Sequence, residues 1–176
     1  NFESLYLFLK SNNNLVFNSY IINCLLNIAE CETMLYNFDS SLDYLNKVVY
    51  QFTRNEFNDK LIKDMIFLNY FYSGDIDKAF EYAKSLLDVG ILDSNSMFLH
   101  AKRYFYLASI NTILGRYSES NKLLVYSRPL DKDKDGWNIG IRILSIINNI
   151  ELGKDIYVES QIENLRKHVS RIKGDS

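Results

Sequence analysis

Residues 66–87 read IFLNYFYSGDIDKAFEYAKSLL, which is an apolar segment, a short turn and a second apolar segment. Gly74 can adopt the left-handed backbone that ends many helices. Asp75 can then act as the N-cap of the next helix, because its carboxylate accepts hydrogen bonds from free backbone N–H groups. Small and apolar residues recur at helical spacing in the second segment: Ala79, Ala83 and Leu86. This stretch therefore predicts two antiparallel helices joined by a tight turn.

The same pattern occurs three more times, with glycine or tyrosine at the turn. The copies are LNIAECETMLYNFDSSLDYLNKVV (26–49, turn at Tyr36), LASINTILGRYSESNKLLVYS (107–127, turn at Gly115) and ILSIINNIELGKDIYVESQIENL (143–165, turn at Gly153). Consecutive turn positions are 38, 41 and 38 residues apart. A period in that range with two helices per unit is typical of stacked helical hairpins. We therefore expect an all-α fold, an α-solenoid of about four hairpins.

We expect a single helical-repeat domain over residues 1–176, with nine helices. A short helix over 2–10 is interpreted as the orphaned second helix of an earlier hairpin. Asp39 or Ser40 is expected to cap the second helix of the first hairpin. The four hairpins are predicted near 15–52, 57–89, 96–127 and 137–172.

Composition limits the classes of function. Apolar residues make up 47% of the chain, with 13 Tyr and 11 Phe, which is ample for a continuous core and excludes a disordered chain. The net charge of −2 gives no general argument for nucleic acid or for an anionic membrane surface. No apolar run approaches the roughly 18–20 residues that span a bilayer, and no signal peptide is visible. We expect no membrane partner, and no nucleic-acid partner for this segment.

The two cysteines, Cys24 and Cys31, lie seven residues apart in the first long helical stretch. Two helical turns separate them by about 10 Å, which is too far for a disulfide bond. We expect two buried, reduced thiols, which favours a reducing compartment such as the cytoplasm. Because the chain opens with Asn1, we expect it to be a piece of a longer protein or to have lost a leader.

The repeats resemble tetratricopeptide repeats, whose pattern combines large apolar, small and aromatic positions with a Gly-Asp-Tyr turn. The resemblance covers about residues 15–172 and implies a right-handed α-solenoid. It rests on Ile66, Tyr70, Gly74, Asp75, Ile76, Ala79 and Leu86 in the second hairpin; Tyr104, Leu107, Ala108, Gly115, Tyr117 and Leu124 in the third; and Leu25, Ile28, Ala29, Phe38, Leu45 and Val48 in the first. The spacing exceeds that family's period of about 34 residues, and the fourth hairpin is expected to carry an extra residue in its turn.

The resemblance also implies where a partner binds, because the first helix of each hairpin lines the concave groove in that family. The matching positions are Asn23, Leu26, Asn27, Glu30, Thr33 and Met34 in the first hairpin, Leu61, Asp64, Met65, Leu68, Phe71 and Tyr72 in the second, and Lys102, Phe105, Tyr106, Ser109, Thr112 and Ile113 in the third. Such a mixture suits an extended peptide or a partner helix. The alternative for Leu61, Met65 and Leu68 is core packing between hairpins. Leu26 and Glu30 replace two residues of the Lys/Asn clamp that chaperone-binding members use, so we expect no such clamp.

The segment Asp131-Lys-Asp133-Lys-Asp135-Gly136 opens like an EF-hand calcium loop. The pattern then fails, because position twelve is Arg142 where a bidentate glutamate should close the site. We expect a solvated loop in which Asp133 or Asp135 caps the next helix, and no metal site.

No catalytic pattern is visible in the sequence. His100 and His168 have no cysteine or acid at metal-ligand spacing, and no nucleophile elbow, phosphate loop or dinucleotide fingerprint occurs. We expect no catalytic residues, no cofactor and no enzymatic activity. A solvated helix end is the expected role of the basic cluster Arg166, Lys167, His168, Arg171 and Lys173.

Three hypotheses for the function follow. The first is a non-enzymatic scaffold or adaptor that binds a protein or peptide in its concave groove. The second is the ligand- or peptide-sensing part of a longer transcription regulator whose upstream segment binds DNA. The third is a self-assembly module that forms a homo-oligomer through exposed apolar end helices such as 2–10.

Overall fold

A computed structural model describes residues 2–11, 18–51, 56–87, 94–127 and 136–174. Within these ranges the regular elements are nine α-helices and a 3₁₀ turn at 125–127, with no strands, which confirms the predicted all-α class. The helices are α1 (Phe2–Ser11), α2 (Asn18–Met34), α3 (Phe38–Gln51), α4 (Glu56–Ser73), α5 (Ile76–Leu87), α6 (Ser94–Ile113), α7 (Tyr117–Leu124), α8 (Trp137–Glu151) and α9 (Asp155–Gly174).

The chain divides into two compact units, Asn1–Tyr82 and Ala83–Ser176, and the division falls within α5. Each unit is described by itself. The expectation of one repeat domain over the whole chain stays a prediction.

In the first unit, α2 packs against α1 and α3, and α4 contacts both α2 and α3. The core forms where the apolar stripes of these helices meet, because burying apolar surface is the main favourable term in folding. Its most buried side chains are Leu25, Ala29, Leu45, Val48 and Ile62. Leu9 of α1 joins this core, so the predicted short N-terminal helix is present and packed.

The second unit has the same order of contacts. Helix α6 packs against α7, α8 contacts both α6 and α7, and α9 packs on α8. The side chains buried in this unit include Ala101, Ala108, Ile110, Leu124 and Ile146. In the first unit, therefore, α2 contacts both α3 and α4, and in the second unit α6 contacts both α7 and α8.

Four left-handed residues separate the paired helices. Tyr36 has φ 63°, Gly74 83°, Gly115 71° and Gly153 68°, and the next helix starts two residues later in every case. The predicted turns are thereby confirmed, including the one with tyrosine in place of glycine. Because α9 begins at Asp155, the extra residue expected in the fourth turn is absent.

The caps of the second helices follow from these turns. Asp75 caps α5 as predicted, since its Oδ1 accepts a 3.3 Å hydrogen bond from the backbone N–H of Lys78. The prediction that Asp39 or Ser40 caps α3 is wrong, because α3 already begins at Phe38 and both residues lie in its first turn. The left-handed Tyr36 sets that earlier start.

The cysteine prediction is confirmed for one residue of the two. Both thiols are free, and Cys24 is buried, which raises the pKa of its thiol through desolvation. Cys31 is exposed, so the prediction of a second buried thiol is wrong. The buried side chains of α2 lie between Ile21 and Ala29, and Cys31 follows them in the last part of the helix.

Candidate functional site

The first unit contains a groove between α2 and α4 with a volume of about 450 Å³. Its lining consists of eleven of the twelve positions predicted for the first two hairpins. These are Asn23, Leu26, Asn27, Glu30, Thr33, Met34, Leu61, Asp64, Met65, Leu68 and Tyr72. We call this set the α2/α4 groove.

The floor of the α2/α4 groove is apolar. Leu26 is buried, while Met65 and Leu68 are half-buried and Leu61 is 38% exposed. The residues for which core packing was the alternative thus line the groove and remain accessible from it. Such a floor can hold apolar side chains of a ligand, because their burial releases water from both surfaces.

Polar and amphipathic side chains surround this floor. Glu30 is exposed on α2, and Asp64 is half-buried on α4. Tyr72 is 54% exposed. The Nδ2 of Asn27 donates a 2.8 Å hydrogen bond to the carbonyl of Asn23, which orients the Asn27 amide and leaves its Oδ1 as an acceptor.

Phe71 is the predicted position that the groove lining, as the structure describes it, does not include. Its half-buried ring lies 5.9 Å from the ring of Phe67 and 5.5 Å from that of Tyr72, measured between centroids. Phe71 therefore packs against the side of Tyr72, and its contact with a partner stays a prediction.

A buried polar cluster joins the two walls of the groove behind its floor. Thr33 of α2 donates to Oδ1 of Asn69 on α4 at 3.3 Å and lies 2.9 Å from the hydroxyl of Ser41 on α3. Ser41 donates to the carbonyl of Ala29 at 2.8 Å, and Asn69 donates to that of Met65 at 2.9 Å. Ser41 and Asn69 are completely buried, so each of these hydrogen bonds satisfies a group that water cannot reach. We call this arrangement the Thr-Ser-Asn cluster.

The second unit contains the same cluster 79 residues later, built from Thr112, Ser120 and Asn148. The hydroxyl of Thr112 donates to Oδ1 of Asn148 at 2.7 Å, and Ser120 donates to the carbonyl of Ala108 at 2.8 Å. Nδ2 of Asn148 in turn donates to the Ser120 hydroxyl at 2.8 Å. Thr112, which we predicted as a partner-binding residue, is thus hydrogen-bonded inside the protein.

Sequence reasoning missed both buried asparagines and both serines of these clusters. A signal for them existed, because Ala, Thr, Ser and Asn recur at the same relative positions in both halves of the chain. They are Ala29, Thr33, Ser41 and Asn69 in the first half and Ala108, Thr112, Ser120 and Asn148 in the second.

Two further predicted positions of the second unit, Lys102 and Phe105, lie in an aromatic group around Trp137. The Nζ of Lys102 lies 4.8 Å from the ring centroid of Phe98 and 4.8 Å from that of Trp137. The ring of Phe105 meets that of Trp137 edge-on at 5.5 Å. A Cβ atom added at Gly140 would lie 3.3 Å from Cζ of Phe105. Phe105 therefore fills the space that this glycine leaves, at a position 79 residues after Leu26.

Ser109 also has an internal partner, because its hydroxyl donates to the carbonyl of Phe105 at 2.9 Å. Of the third-hairpin residues predicted to contact a partner, Ser109 and Thr112 are therefore engaged within α6 or its neighbours. The structure brings Lys102 and Phe105 together around Trp137.

The remaining candidates from the sequence are the titratable and charged side chains. Over the residues that the structure describes, no three His, Cys, Asp or Glu side chains are grouped so that they could hold a metal ion. The acidic loop Asp131–Asp135 lies outside the described residues. Arg142 donates a 2.6 Å hydrogen bond from Nε to Oδ1 of Asn138 within α8. In α9, Nζ of Lys167, a residue of the basic cluster, lies 3.6 Å from Oε1 of Glu163, and both side chains are exposed.

Across the described ranges, no helix combines the length and the apolar content that crossing a bilayer needs. Comparisons of the chain with protein-family models, with curated proteins and with solved structures gave no match. The likeness to tetratricopeptide repeats rests on the residues quoted above.

Proposed function

We propose that this chain is a non-enzymatic scaffold or adaptor that binds a peptide or protein segment in the α2/α4 groove. In this proposal the helical hairpins belong to a right-handed α-solenoid of the tetratricopeptide type. The observation that carries the proposal is the convergence of the predicted positions of α2 and α4 on one groove. Its volume of about 450 Å³ lies within the range of about 300–1,000 Å³ that is usual for ligand sites.

The groove has the features that affinity and selectivity require. Leu61, Met65 and Leu68 can bury apolar anchors of a ligand, and such anchors dominate the binding energy of most interfaces. Thr33 and Asn69 lie within 3.3 Å of each other across the two walls, and walls that are already packed together lower the ordering cost of ligand binding. Polar groups at the edge can then select among apolar ligands.

A selection from a phage-displayed library of 12-residue peptides on the immobilised protein tests the proposal. Peptides that are enriched should bind the protein in solution, and their affinity should fall at least tenfold in Tyr72→Ala and in Leu61→Ser. Both changes remove apolar contact area at exposed positions of the groove. Tyr50→Ala, an exposed tyrosine on α3 outside the groove, is the matched control and should leave affinity unchanged.

The proposal fails if no peptide is enriched. It also fails if the groove variants, shown to be folded by circular dichroism, bind the selected peptides as tightly as the control.

A second candidate function is self-assembly, and a specific observation favours it. Helix α1 exposes four large apolar side chains, of which Leu7 and Phe8 are each 64% exposed. Large apolar side chains grouped on one exposed surface are typical of a site where another chain packs. Light scattering over a range of protein concentrations should then show a mass that rises with concentration, and Leu7→Glu should abolish the rise. A constant monomer mass would exclude this function.

A further inference from the structure

We infer that the occupant of the α2/α4 groove is a segment of another protein that combines apolar anchors with lysine or arginine side chains. This inference rests on the proposed function, because it names the chemistry of the ligand for that same groove.

The first observation is the sign of the charge. The charged residues among the eleven that line the groove are Glu30 and Asp64, one on each wall, and none of these eleven described residues is lysine or arginine. Charge complementarity across an interface selects partners and suppresses wrong ones. A lysine or arginine of the ligand is therefore favoured beside Glu30, which is exposed, and an acidic side chain is disfavoured there.

The second observation is that hairpin packing does not need these two acids. The equivalent positions of the second unit, 79 residues later, are Ser109 and Ile143. That unit nevertheless forms the same Thr-Ser-Asn cluster around Asn148. Glu30 and Asp64 are therefore features of the first groove and are not requirements of the fold.

The third observation concerns the hydrogen-bonding groups beside the acids. Asn27 is directed by its hydrogen bond to the carbonyl of Asn23, and its Oδ1 is an acceptor. Ammonium and guanidinium groups are donors only. An amide acceptor one helical turn before Glu30 on α2 therefore suits a cationic side chain, while the apolar floor takes the neighbouring anchor.

The experiment begins with the sequences from the 12-residue phage-displayed library. Enriched peptides should contain apolar residues and an excess of Lys and Arg over Asp and Glu. One such peptide is then synthesised with its basic residues and, as a second version, with glutamine at those places. Fluorescence anisotropy gives the dissociation constant of each version for each variant of the full chain.

The double variant Glu30→Gln/Asp64→Asn should weaken binding of the basic peptide about tenfold or more, and the glutamine version should bind both proteins alike. Asp43→Asn/Asp77→Asn is the matched control, because it removes the same number of acids at exposed positions outside the groove. The control should change affinity less than about twofold.

The outcomes separate the two proposals. Enriched peptides that are neutral or acidic, or a dissociation constant that the double variant leaves unchanged, would overturn the inference while the groove remains a peptide site. A failure to enrich any peptide would overturn both.

A second copy of this chain is the competing occupant, because the end of α9 carries Arg166, Lys167 and Arg171 beside Val169. Light scattering of the protein alone distinguishes it. A concentration-dependent oligomer that Glu30→Gln/Asp64→Asn dissolves would show that the groove takes α9 of another copy and would overturn the assignment to a separate protein. A mass that does not respond to the double variant supports a separate partner.

Discussion

The hydroxyl of Thr112 lies 2.7 Å from Oδ1 of Asn148, and this hydrogen bond joins α6 to α8 inside the second unit. Asn148 is completely buried and uses its Nδ2 to reach Ser120 of α7 as well. One side chain therefore connects three helices at a point where water cannot replace it. The equivalent atoms of the first unit, Oγ1 of Thr33 and Oδ1 of Asn69, lie 3.3 Å apart across the walls of the α2/α4 groove.

Replacing Asn148 by alanine should lower the free energy of unfolding by about 2–3 kcal/mol. The loss follows because Asn148 is completely buried and hydrogen-bonds to both Thr112 and Ser120, each such bond contributing about 0.5–1.5 kcal/mol, and because the truncation leaves a cavity. Urea denaturation, followed by circular dichroism and by the fluorescence of Trp137, measures the change. Asn69→Ala should cost less, since its bond to Thr33 is longer. Asn46→Ala, on the exposed face of α3, is the control and should stay within about 0.5 kcal/mol. An equal effect of Asn148→Ala and Asn46→Ala would contradict the role given to the cluster.

Exchanging residues between the two units tests the close fit of Phe105 against Gly140. Gly140→Leu introduces leucine, the residue type that the first unit has at the equivalent position, Leu61. This change should lower the free energy of unfolding by about 1–2 kcal/mol. Overpacking costs about 1–3 kcal/mol, part of which the better helix propensity offsets. Phe105→Leu alone should also be destabilising, because it leaves a cavity. The double variant Phe105→Leu/Gly140→Leu should lose less free energy of unfolding than the two single variants lose together. The expected difference, the coupling energy, is about 1 kcal/mol.

Denaturant unfolding of the four proteins gives this coupling directly. The pair Phe105→Leu with Glu159→Gln, an exposed residue of α9, serves as the control and should be additive. If the effects of Phe105→Leu and Gly140→Leu were also additive, the ring of Phe105 would not be packed against Gly140, and the prediction would be wrong.

Stability should depend on His100 at mildly acidic pH. Burial, and then the charge of nearby Arg103, lowers the pKa of His100 in the folded protein, whereas the unfolded value is about 6.5. The unfolded chain then binds more protons than the folded one in this window. The stability contributed by neutral His100 is present above about pH 6.5 and is lost as the pH falls through the folded pKa.

The urea concentration at the midpoint of unfolding, measured at pH 7 and pH 5 for the wild-type protein and for His100→Gln, checks this dependence. The wild-type protein should lose more stability between the two than His100→Gln loses. A proton NMR titration of the resonance that disappears in His100→Gln should give a pKa below 6.5. A titration at or above that value would contradict the burial that the structure shows around this ring.

Much of the helical architecture follows from local sequence. The spacing of apolar residues and the positions of Gly74, Gly115 and Gly153 predicted the helix pairs and their turns, because left-handed backbone and helix periodicity are local properties. Even Tyr36, a residue with a β-carbon at φ 63°, was placed correctly by its distance from the other turns. The positions that line the α2/α4 groove were those implied by the resemblance to tetratricopeptide repeats.

Side-chain partnerships could not be predicted in the same way. In the sequence, Asn148 is a polar residue between apolar residues of a helix, and nothing indicates its partners. The structure shows that it hydrogen-bonds to Thr112 and Ser120. Phe105 was predicted to contact a partner, and its half-buried ring also packs beside Gly140, 35 positions further along, which the sequence did not indicate. Both depend on contacts between helices that no single segment specifies.

The contrast between the two thiols has a practical consequence. The sequence contains two cysteines, of which Cys24 is buried and Cys31 is exposed. Accessible thiols react far faster with alkylating reagents than those enclosed in apolar surroundings. A maleimide fluorophore should therefore attach at Cys31 of the unmodified protein. Because Cys31 follows Glu30 directly in α2, the emission of such a dye would report when the neighbouring groove is filled.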